Sequence, residues 1–207
     1  MPETLFATVD WSAVGPFVLA SLAIMGSPGP TTISLVAIGS AFGVRRSMPY
    51  LAGIIAGTTV VLVAVATGVT AMLLAVPALG SILVAISAAY ILWLAYHIAT
   101  APPLARQTAG AEAPSPAGGA LLGVANPKAW VAIAAVFASV EVAAGAATDA
   151  AAKLAILTAM IVLIHVAWLV AGVSIAPLLR DRRRARVVNA ALAISLVAAM
   201  ALGALPH

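Results

Sequence analysis

Cysteine is absent from this sequence, and charged residues are scarce. The 207-residue chain contains no cysteine, which excludes disulfides, thiolate metal sites and thiol redox chemistry. Only 8% of its residues are charged and 64% are hydrophobic, whereas a soluble domain carries about 25% charged residues. Such a chain cannot cover itself with a polar surface. We therefore expect a polytopic membrane protein surrounded by lipid bilayer.

Basic residues are also missing from the first part of the chain. The first one is Arg45, and Glu3 and Asp10 precede the first apolar run. A cleavable signal peptide needs a basic segment ahead of its apolar one. The first apolar run is therefore predicted to be a retained helix with its N-terminus outside the cytoplasm.

Long apolar runs make up most of what is present. A transmembrane helix needs about 20 apolar residues, and the segments of that length are 11–42, 49–74, 78–99, 119–140, 154–179 and 187–205. Residues 101–118 are rich in Pro, Ala, Gly and Ser and are predicted to form a flexible loop. Nothing indicates strands, so the predicted fold class is all-α with six transmembrane helices.

Arginine positions predict the orientation of these helices. Arginine marks cytoplasmic loops, and every arginine falls in an alternate connection between the predicted segments, which places both termini outside. The cluster in residues 180–186 also suits a nucleic-acid patch or an anionic-lipid site. Because it fits the alternation, we interpret it as a topology determinant and expect no nucleic-acid partner. The arginines are Arg45, Arg46, Arg106, Arg180, Arg182, Arg183, Arg184 and Arg186.

Two apolar runs are interrupted where an unbroken helix would be expected. The first interruption is Ser27-Pro28-Gly29-Pro30 and the second is Asn126-Pro127-Lys128. Irregular backbone survives at membrane depth only where it is buried in protein or lines a wet cavity. The chain is predicted to be one transporter domain, 1–207, built from an inverted repeat of two three-helix halves, 1–99 and 119–207, joined by the cytoplasmic residues 100–118. The first and fourth helices are the broken ones.

The two breaks predict a binding site for a zwitterion. Each break frees N–H groups that suit a carboxylate and carbonyls that suit an ammonium or a coupling cation. The alternative is that the prolines are kinks satisfied by Ser and Thr side chains and neighbouring helices. The candidate substrate-binding residues are Ser27, Pro28, Gly29, Pro30, Thr31, Thr32, Asn126, Pro127 and Lys128. Asn126 is also expected to cap the half-helix that follows it.

At these residues the chain resembles the LysE/RhtB family of amino-acid exporters. The resemblance comprises Pro28-Gly29-Pro30, the basic loop at Gly43 to Arg46, the small-residue pattern from Gly53 to Gly57, a Tyr-Leu motif at Tyr90 and Asn126-Pro127-Lys128. It implies a secondary transporter in the bacterial cytoplasmic (inner) membrane that exports amino acids or related small metabolites. The export would be energised by the membrane potential or by proton or cation exchange, with no cofactor.

One departure from the family pattern concerns the residue that would couple transport to a proton or cation. Family members often carry an acidic residue in the fifth helix before a Trp, whereas this chain has His165 ahead of Trp168. An intramembrane ionisable residue marks a pathway or relay by default, so His165 is the candidate for proton or ion coupling. The alternative is a neutral histidine hydrogen-bonded to a neighbouring helix. No acidic residue lies deep in a predicted span, which favours a neutral amino acid as substrate.

The sequence is also compatible with several alternatives. Ser27 with His165 as base would suit an intramembrane serine protease, but Pro28 removes an N–H donor where an oxyanion hole often draws one; we predict no enzyme. A small-solute channel is the other alternative. Gly53-x-x-x-Gly57 is a close-packing motif that serves a neighbouring helix or a second subunit, so a homodimer is possible. Glu141 and Asp149 are expected to be solvated.

Overall fold

The computed structural model describes residues 9–68, 77–100, 114–177 and 181–204. Regular structure in these residues is helical, apart from an isolated antiparallel bridge between Val9 and Ala143. The all-α prediction is therefore confirmed for the described part of the chain. The helices are α1 (Trp11–Met25), α2 (Pro30–Ala66), α3 (Pro77–Thr100), α4 (Pro116–Ala125), α5 (Pro127–Phe137), α6 (Ala146–Ile175) and α7 (Arg182–Ala204).

The first predicted break is present between α1 and α2. The α1 helix ends at Met25, and α2 begins at Pro30 with Gly29 as its extended N-cap residue. Proline is favoured at the first position of a helix because its missing N–H would have no intrahelical partner there. The sequence Pro28-Gly29-Pro30 thus ends one helix and starts the next.

The connection predicted after the first span is present as a sharp reversal at Gly43, which divides α2 into two helical arms and is shorter than the predicted loop. Gly43 has φ 72° and ψ 176°, a conformation that glycine adopts without a steric penalty. Ser47 Oγ donates to the carbonyls of Gly43, at 2.6 Å, and Ile38, at 3.2 Å. Residues 38 and 47 would lie roughly 13 Å apart along a straight helix, so the chain reverses here. Residues 30–42 and 44–66 form the two arms of α2, and Arg45 and Arg46 are helical.

The second predicted break is also present, at Asn126. The helices α4 and α5 on its two sides are bent by 57° relative to each other. The predicted 101–118 loop ends earlier than expected, because Ser115 caps the Gly118 N–H at 3.1 Å and Pro116 starts α4. Residues 101–113, with Arg106, lie outside the described residues.

Several further boundaries differ from the prediction. The second segment ends at Ala66 rather than residue 74. The fifth segment begins at Ala146 rather than residue 154. The sixth begins at Arg182 rather than residue 187, because Asp181 Oδ1 accepts the N–H groups of Arg183 at 3.0 Å and Arg184 at 2.9 Å. The arginines of residues 182–186 therefore belong to the first turns of α7, and Arg180 lies outside the described residues.

Fewer spans are identified than the sequence predicts. In the described residues α2 and α6 are long and apolar enough to cross a membrane, and the bent pair α4–α5 counts as a third if it forms one span. The α1 helix has 15 residues, which is short of the roughly 20 that a span needs. The lengths and compositions of these helices therefore do not confirm the predicted six-span inverted repeat.

Glycines let α4 and the second arm of α2 approach closely. A Cβ on Gly53 would overlap the carbonyl of Pro116, and one on Gly57 would overlap the carbonyl of Ala120. From the other side, Gly119 and Gly123 face the backbone of the α2 arm. Small residues four apart allow such backbone contact between membrane helices. Gly53-x-x-x-Gly57 therefore packs against α4 of the same chain, which is the first of the two alternatives left open by the sequence.

Candidate functional site

The two breaks meet through Lys128. Its Nζ donates to the carbonyl of Ser27, to Ser27 Oγ at 2.8 Å and to the carbonyl of Pro28 at 3.1 Å. Trp168 Nε1, from α6, donates to the preceding carbonyl, that of Gly26, at 3.1 Å. Three successive carbonyls freed by the first break are thus satisfied by side chains that lie 100 or more residues further along the chain.

Short side chains close the first break locally. Thr32 Oγ1 accepts the Gly29 N–H at 2.8 Å and donates back to the Gly29 carbonyl at 3.0 Å. Ser27 Oγ donates to the Ile24 carbonyl at 2.8 Å while it accepts from Lys128. The alternative interpretation treats the prolines as kinks whose backbone groups are satisfied by Ser and Thr side chains. Part of it holds, since Ser27 and Thr32 do satisfy backbone groups around these prolines.

Asn126 organises the second break. Its Oδ1 accepts the Lys128 N–H at 3.1 Å and so caps α5. This bond directs Nδ2 towards Thr31, whose Oγ1 lies 3.5 Å away. Asn126 is only 3% exposed, so the contact between the start of α2 and the start of α5 is buried.

His165 continues this contact from Thr31 to α6. Its Nδ1 lies 2.7 Å from the Ile161 carbonyl, and its Nε2 lies 3.3 Å from Thr31 Oγ1. A carbonyl only accepts, so the hydrogen bond assigns the proton to Nδ1, and the Nε2 of a neutral imidazole accepts from the Thr31 hydroxyl. Asn126, Thr31 and His165 form a hydrogen-bond chain that ends on the backbone of α6.

A small cavity lies at this junction. Its volume is about 30 Å³, room for about two waters and too little for an amino acid, so the conformation is closed. Six predicted site residues line it, whereas Ser27, Pro28, Pro30 and Pro127 do not. Most of the remaining wall is apolar. The six are Gly29, Thr31, Thr32, Asn126, Lys128 and His165, and the other lining residues are Met25, Thr58, Ala129, Ala132, Ile133, Ile161 and Ile164.

Thr58 is a lining residue that the sequence reasoning missed. It is 4% exposed, and its Oγ1 makes no hydrogen bond within the described residues. A helical threonine usually bonds to a carbonyl of the preceding turn, and an unsatisfied buried hydroxyl costs about 1–3 kcal/mol. No signal in the sequence distinguishes Thr58 from its neighbour Thr59, because only packing decides which of the two faces the cavity.

The expectation that Asp149 is solvated is wrong. Asp149 forms an ion pair of 2.8 Å with Lys153 and accepts the Val142 N–H at 2.6 Å. Lys153 is 4% exposed and also donates to the Phe137 carbonyl at the end of α5, at 2.8 Å. This group fastens the connection between α5 and α6, whereas Glu141 is exposed as expected.

Charge at the cavity is positive or neutral. Lys128 is its charged lining residue, and no carboxylate lines it in the described part of the chain. The described residues also contain no group of three His, Asp or Glu side chains placed to hold a metal ion. The two breaks together bring two helix N-termini, a lysine and a row of carbonyls close to one another.

Comparisons with known proteins identify the class of protein. The family model described as LysE type translocator matches residues 22–205. The chain therefore belongs to the LysE type translocator family, as the resemblance indicated, and this family consists of membrane transporters rather than enzymes. The match includes both breaks and all the lining residues of the cavity.

Individual relatives match over a shorter stretch. The chain is 40% identical over 76 residues to proteins named cysteine/O-acetylserine efflux protein from Salmonella typhimurium, Salmonella typhi and Salmonella choleraesuis. The stretch covers 37% of this chain and 39% of each relative, so the match spans about two fifths of their length. No solved structure matches the chain.

Proposed function

We propose that this protein is a secondary transporter that exports a neutral amino acid or a related small metabolite across the bacterial cytoplasmic membrane. The substrate binds between the two Pro-broken helices. The observation that carries the proposal is the bonding of Lys128, at the start of α5, to the carbonyls of Ser27 and Pro28 that the first break frees. Two breaks that far apart in sequence would not be hydrogen-bonded to each other beside one cavity if they were independent kinks.

The electrostatics of the cavity match a zwitterion. The N-termini of α2 and α5 both border it through Gly29 and Asn126, and a helix N-terminus carries a partial positive charge that favours a carboxylate. The Ser27 and Pro28 carbonyls follow the negative end of α1 and favour an ammonium. We assign Lys128 and the two N-termini to the substrate carboxylate, with Ser27, Pro28, Thr31 and Thr32 around the amino group.

A neutral substrate is favoured because none of the described carboxylates lines the cavity to balance a second positive charge. The relatives are named for efflux of cysteine and O-acetylserine. At neutral pH both compounds are zwitterions with small side chains and no net charge. The apolar part of the wall, formed by residues such as Ala129, Ala132 and Ile133, suits a side chain of that size.

The proposed architecture is an inverted repeat of two three-helix halves with both termini outside, in a single domain spanning 1–207. Each half then starts with a broken helix, α1 with the first arm of α2 and α4 with α5, followed by two further helices. Residues 1–99 and 119–207 are the halves, and residues 100–118 connect them on the cytoplasmic side. Labelling of single cysteines placed at residue 110 and at His207 tests this, and equal accessibility of both from outside the cell would contradict it.

Transport requires this closed site to open. A cavity of about 30 Å³ does not hold an amino acid, so the Lys128 bonds to the first break must separate to admit one. We propose His165 as the coupling residue. It contacts the site through Thr31, so a change in its protonation would alter the hydrogen bonds that hold α2 against α6.

The decisive experiment is efflux from proteoliposomes. Purified protein is reconstituted and loaded with labelled Ser, Thr, homoserine, Cys, O-acetylserine, Leu, Lys or Arg. We expect saturable efflux of neutral amino acids, accelerated by the same amino acid outside, which a channel would not show. A homodimer remains part of the proposal and is tested by mass measurement in detergent. Absence of efflux of every amino acid would remove the function proposed here.

The protease alternative has no support in the site geometry. Ser27 Oγ donates to Ile24 and accepts from Lys128, while His165 bonds to Thr31 and Ile161 rather than to Ser27. A serine nucleophile needs its base within hydrogen-bond reach.

A further inference from the structure

The environment of Lys128 Nζ consists of neutral oxygens. Its acceptors are the carbonyls of Ser27 and Pro28 and the Ser27 hydroxyl. An ammonium group has three N–H donors, so these three oxygens match its full hydrogen-bonding capacity. Among the described residues no carboxylate lies within ion-pair distance of Lys128, whereas Lys153 pairs with Asp149. The group of oxygens is therefore built for an ammonium and does not depend on a fixed negative charge.

The position of Lys128 on its own helix is unfavourable. It is the second residue of α5, where the helix dipole is positive and a cation is disfavoured. A substrate carboxylate is favoured at the same place. The Lys128 bonds to the first break therefore offset a local repulsion, and a ligand that replaces the ammonium while offering a carboxylate relieves it.

The backbone of the break is shaped around the Lys128 side chain. A Cβ on Gly29 would lie 2.7 Å from Lys128 Cδ and 3.1 Å from its Nζ. A Cβ at position 29 would therefore require the Lys128 side chain to shift. In addition, Trp168 donates a hydrogen bond to the Gly26 carbonyl. The carbonyls of Ser27 and Pro28 are therefore the ones that accept from the Lys128 ammonium.

We propose that the carbonyls of Ser27 and Pro28, with the Ser27 hydroxyl, form a binding site for a primary ammonium group that Lys128 itself occupies in the closed conformation. On substrate binding, the α-ammonium of the amino acid replaces the lysine ammonium on these three oxygens. Lys128 then turns to the substrate carboxylate. The Lys128 bonds that close the site are thereby replaced by bonds from the three oxygens to the substrate ammonium and from Lys128 to the substrate carboxylate. This inference depends on the proposed function only for the identity of the natural ligand.

The test uses the smallest primary ammonium as probe. Lys128→Met and Lys128→Gln remove the resident ammonium and leave the three oxygens in place. Purified variants in lipid nanodiscs are titrated with methylammonium chloride at constant ionic strength, and Tm is measured. We expect a saturable rise in Tm for both variants and none for the wild-type protein, in which Lys128 competes from within the chain. Adding Ser27→Ala to Lys128→Met is expected to weaken methylammonium binding several-fold, because one of three acceptors is lost.

Tetramethylammonium chloride is the matched probe, because it carries the same charge and no N–H. An equal rise in Tm with tetramethylammonium, or no rise with methylammonium in either variant, would overturn the inference. Using two variants protects the test against the misfolding of one. If the wild-type protein exports amino acids and neither variant binds methylammonium, the ammonium site is refuted and the function stands. If the variants bind methylammonium and the wild type exports no amino acid, the function is refuted and the site stands.

Discussion

The Lys128 ammonium lies 3.1 Å from the Pro28 carbonyl oxygen, although 100 residues separate the two in sequence. One contact thereby joins the positive end of α5 to the break that follows α1. It places opposite helix ends on two sides of a cavity whose other polar wall residues include Thr31, Asn126 and His165. Separation of Lys128 from Pro28 is the step that we expect to gate transport.

Lys128→Met is expected to reduce amino-acid efflux by about 10- to 100-fold, because a hydrogen bond to a charged group contributes about 1.5–3 kcal/mol. The measurement is initial efflux from proteoliposomes, normalised to folded protein. Lys153→Met is the matched control, since it also removes a buried lysine but lies outside the cavity. Equal losses in both variants would mean that Lys128 acts only through stability.

Thr58→Val is expected to raise the free energy of unfolding by up to about 1 kcal/mol, because it replaces an unsatisfied buried hydroxyl with a methyl group of similar shape. We expect the same change to alter the efflux ratio of Ser to Val, since a substrate hydroxyl loses a partner in the cavity. Thr59→Val, on the same helix and outside the cavity, is the control. A destabilised Thr58→Val protein with an unchanged ratio would show that the hydroxyl bonds to water instead.

His165→Ala is expected to remove the pH dependence of efflux at fixed membrane potential. The physical reason is that His165 is the ionisable group bonded to Thr31 at the cavity, so gain or loss of its proton would change a contact between α2 and α6. Efflux is measured between about pH 5.5 and 8.5 in matched buffers inside and outside. Thr31→Val keeps the imidazole and removes its contact with α2, so it is expected to reduce the pH response without abolishing it. An unchanged pH profile in His165→Ala would refute the coupling role.

Gly53→Ala is expected to lower Tm, because the added Cβ would overlap the Pro116 carbonyl and force α4 away from α2. Overpacking of this kind costs about 1–3 kcal/mol. Gly15→Ala in α1 is the control, as its Cβ would meet nothing within 4 Å and alanine is the better helix former by about 0.5–1 kcal/mol. A thermal-shift assay in one detergent should therefore move in opposite directions for the two variants.

Local chemistry explains which boundaries were predictable. Pro28, Pro30 and Pro127 lack an N–H and clash with the carbonyl four residues earlier, so both breaks follow from the sequence. The reversal at Gly43 lies where the glycine and the two following arginines indicate a connection. Its tightness depends on the positive φ of Gly43 and on Ser47, which bonds back to the Ile38 and Gly43 carbonyls. The sequence places the start of α7 too late, because a run of arginines is typical of a loop. In the structure these arginines are helical, since Asp181 caps the first turn of α7.

The sequence by itself determined that the chain is an apolar helical protein of a translocator family with two proline breaks. These properties depend on composition and on steric rules that act within a few residues. Only the tertiary structure decided that Lys128 and Trp168 satisfy the carbonyls of the first break, that Thr58 rather than Thr59 faces the cavity, and that Gly53 packs on α4. Those outcomes depend on how helices distant in sequence pack, since a freed carbonyl specifies that it needs a donor and leaves the choice of donor to the fold.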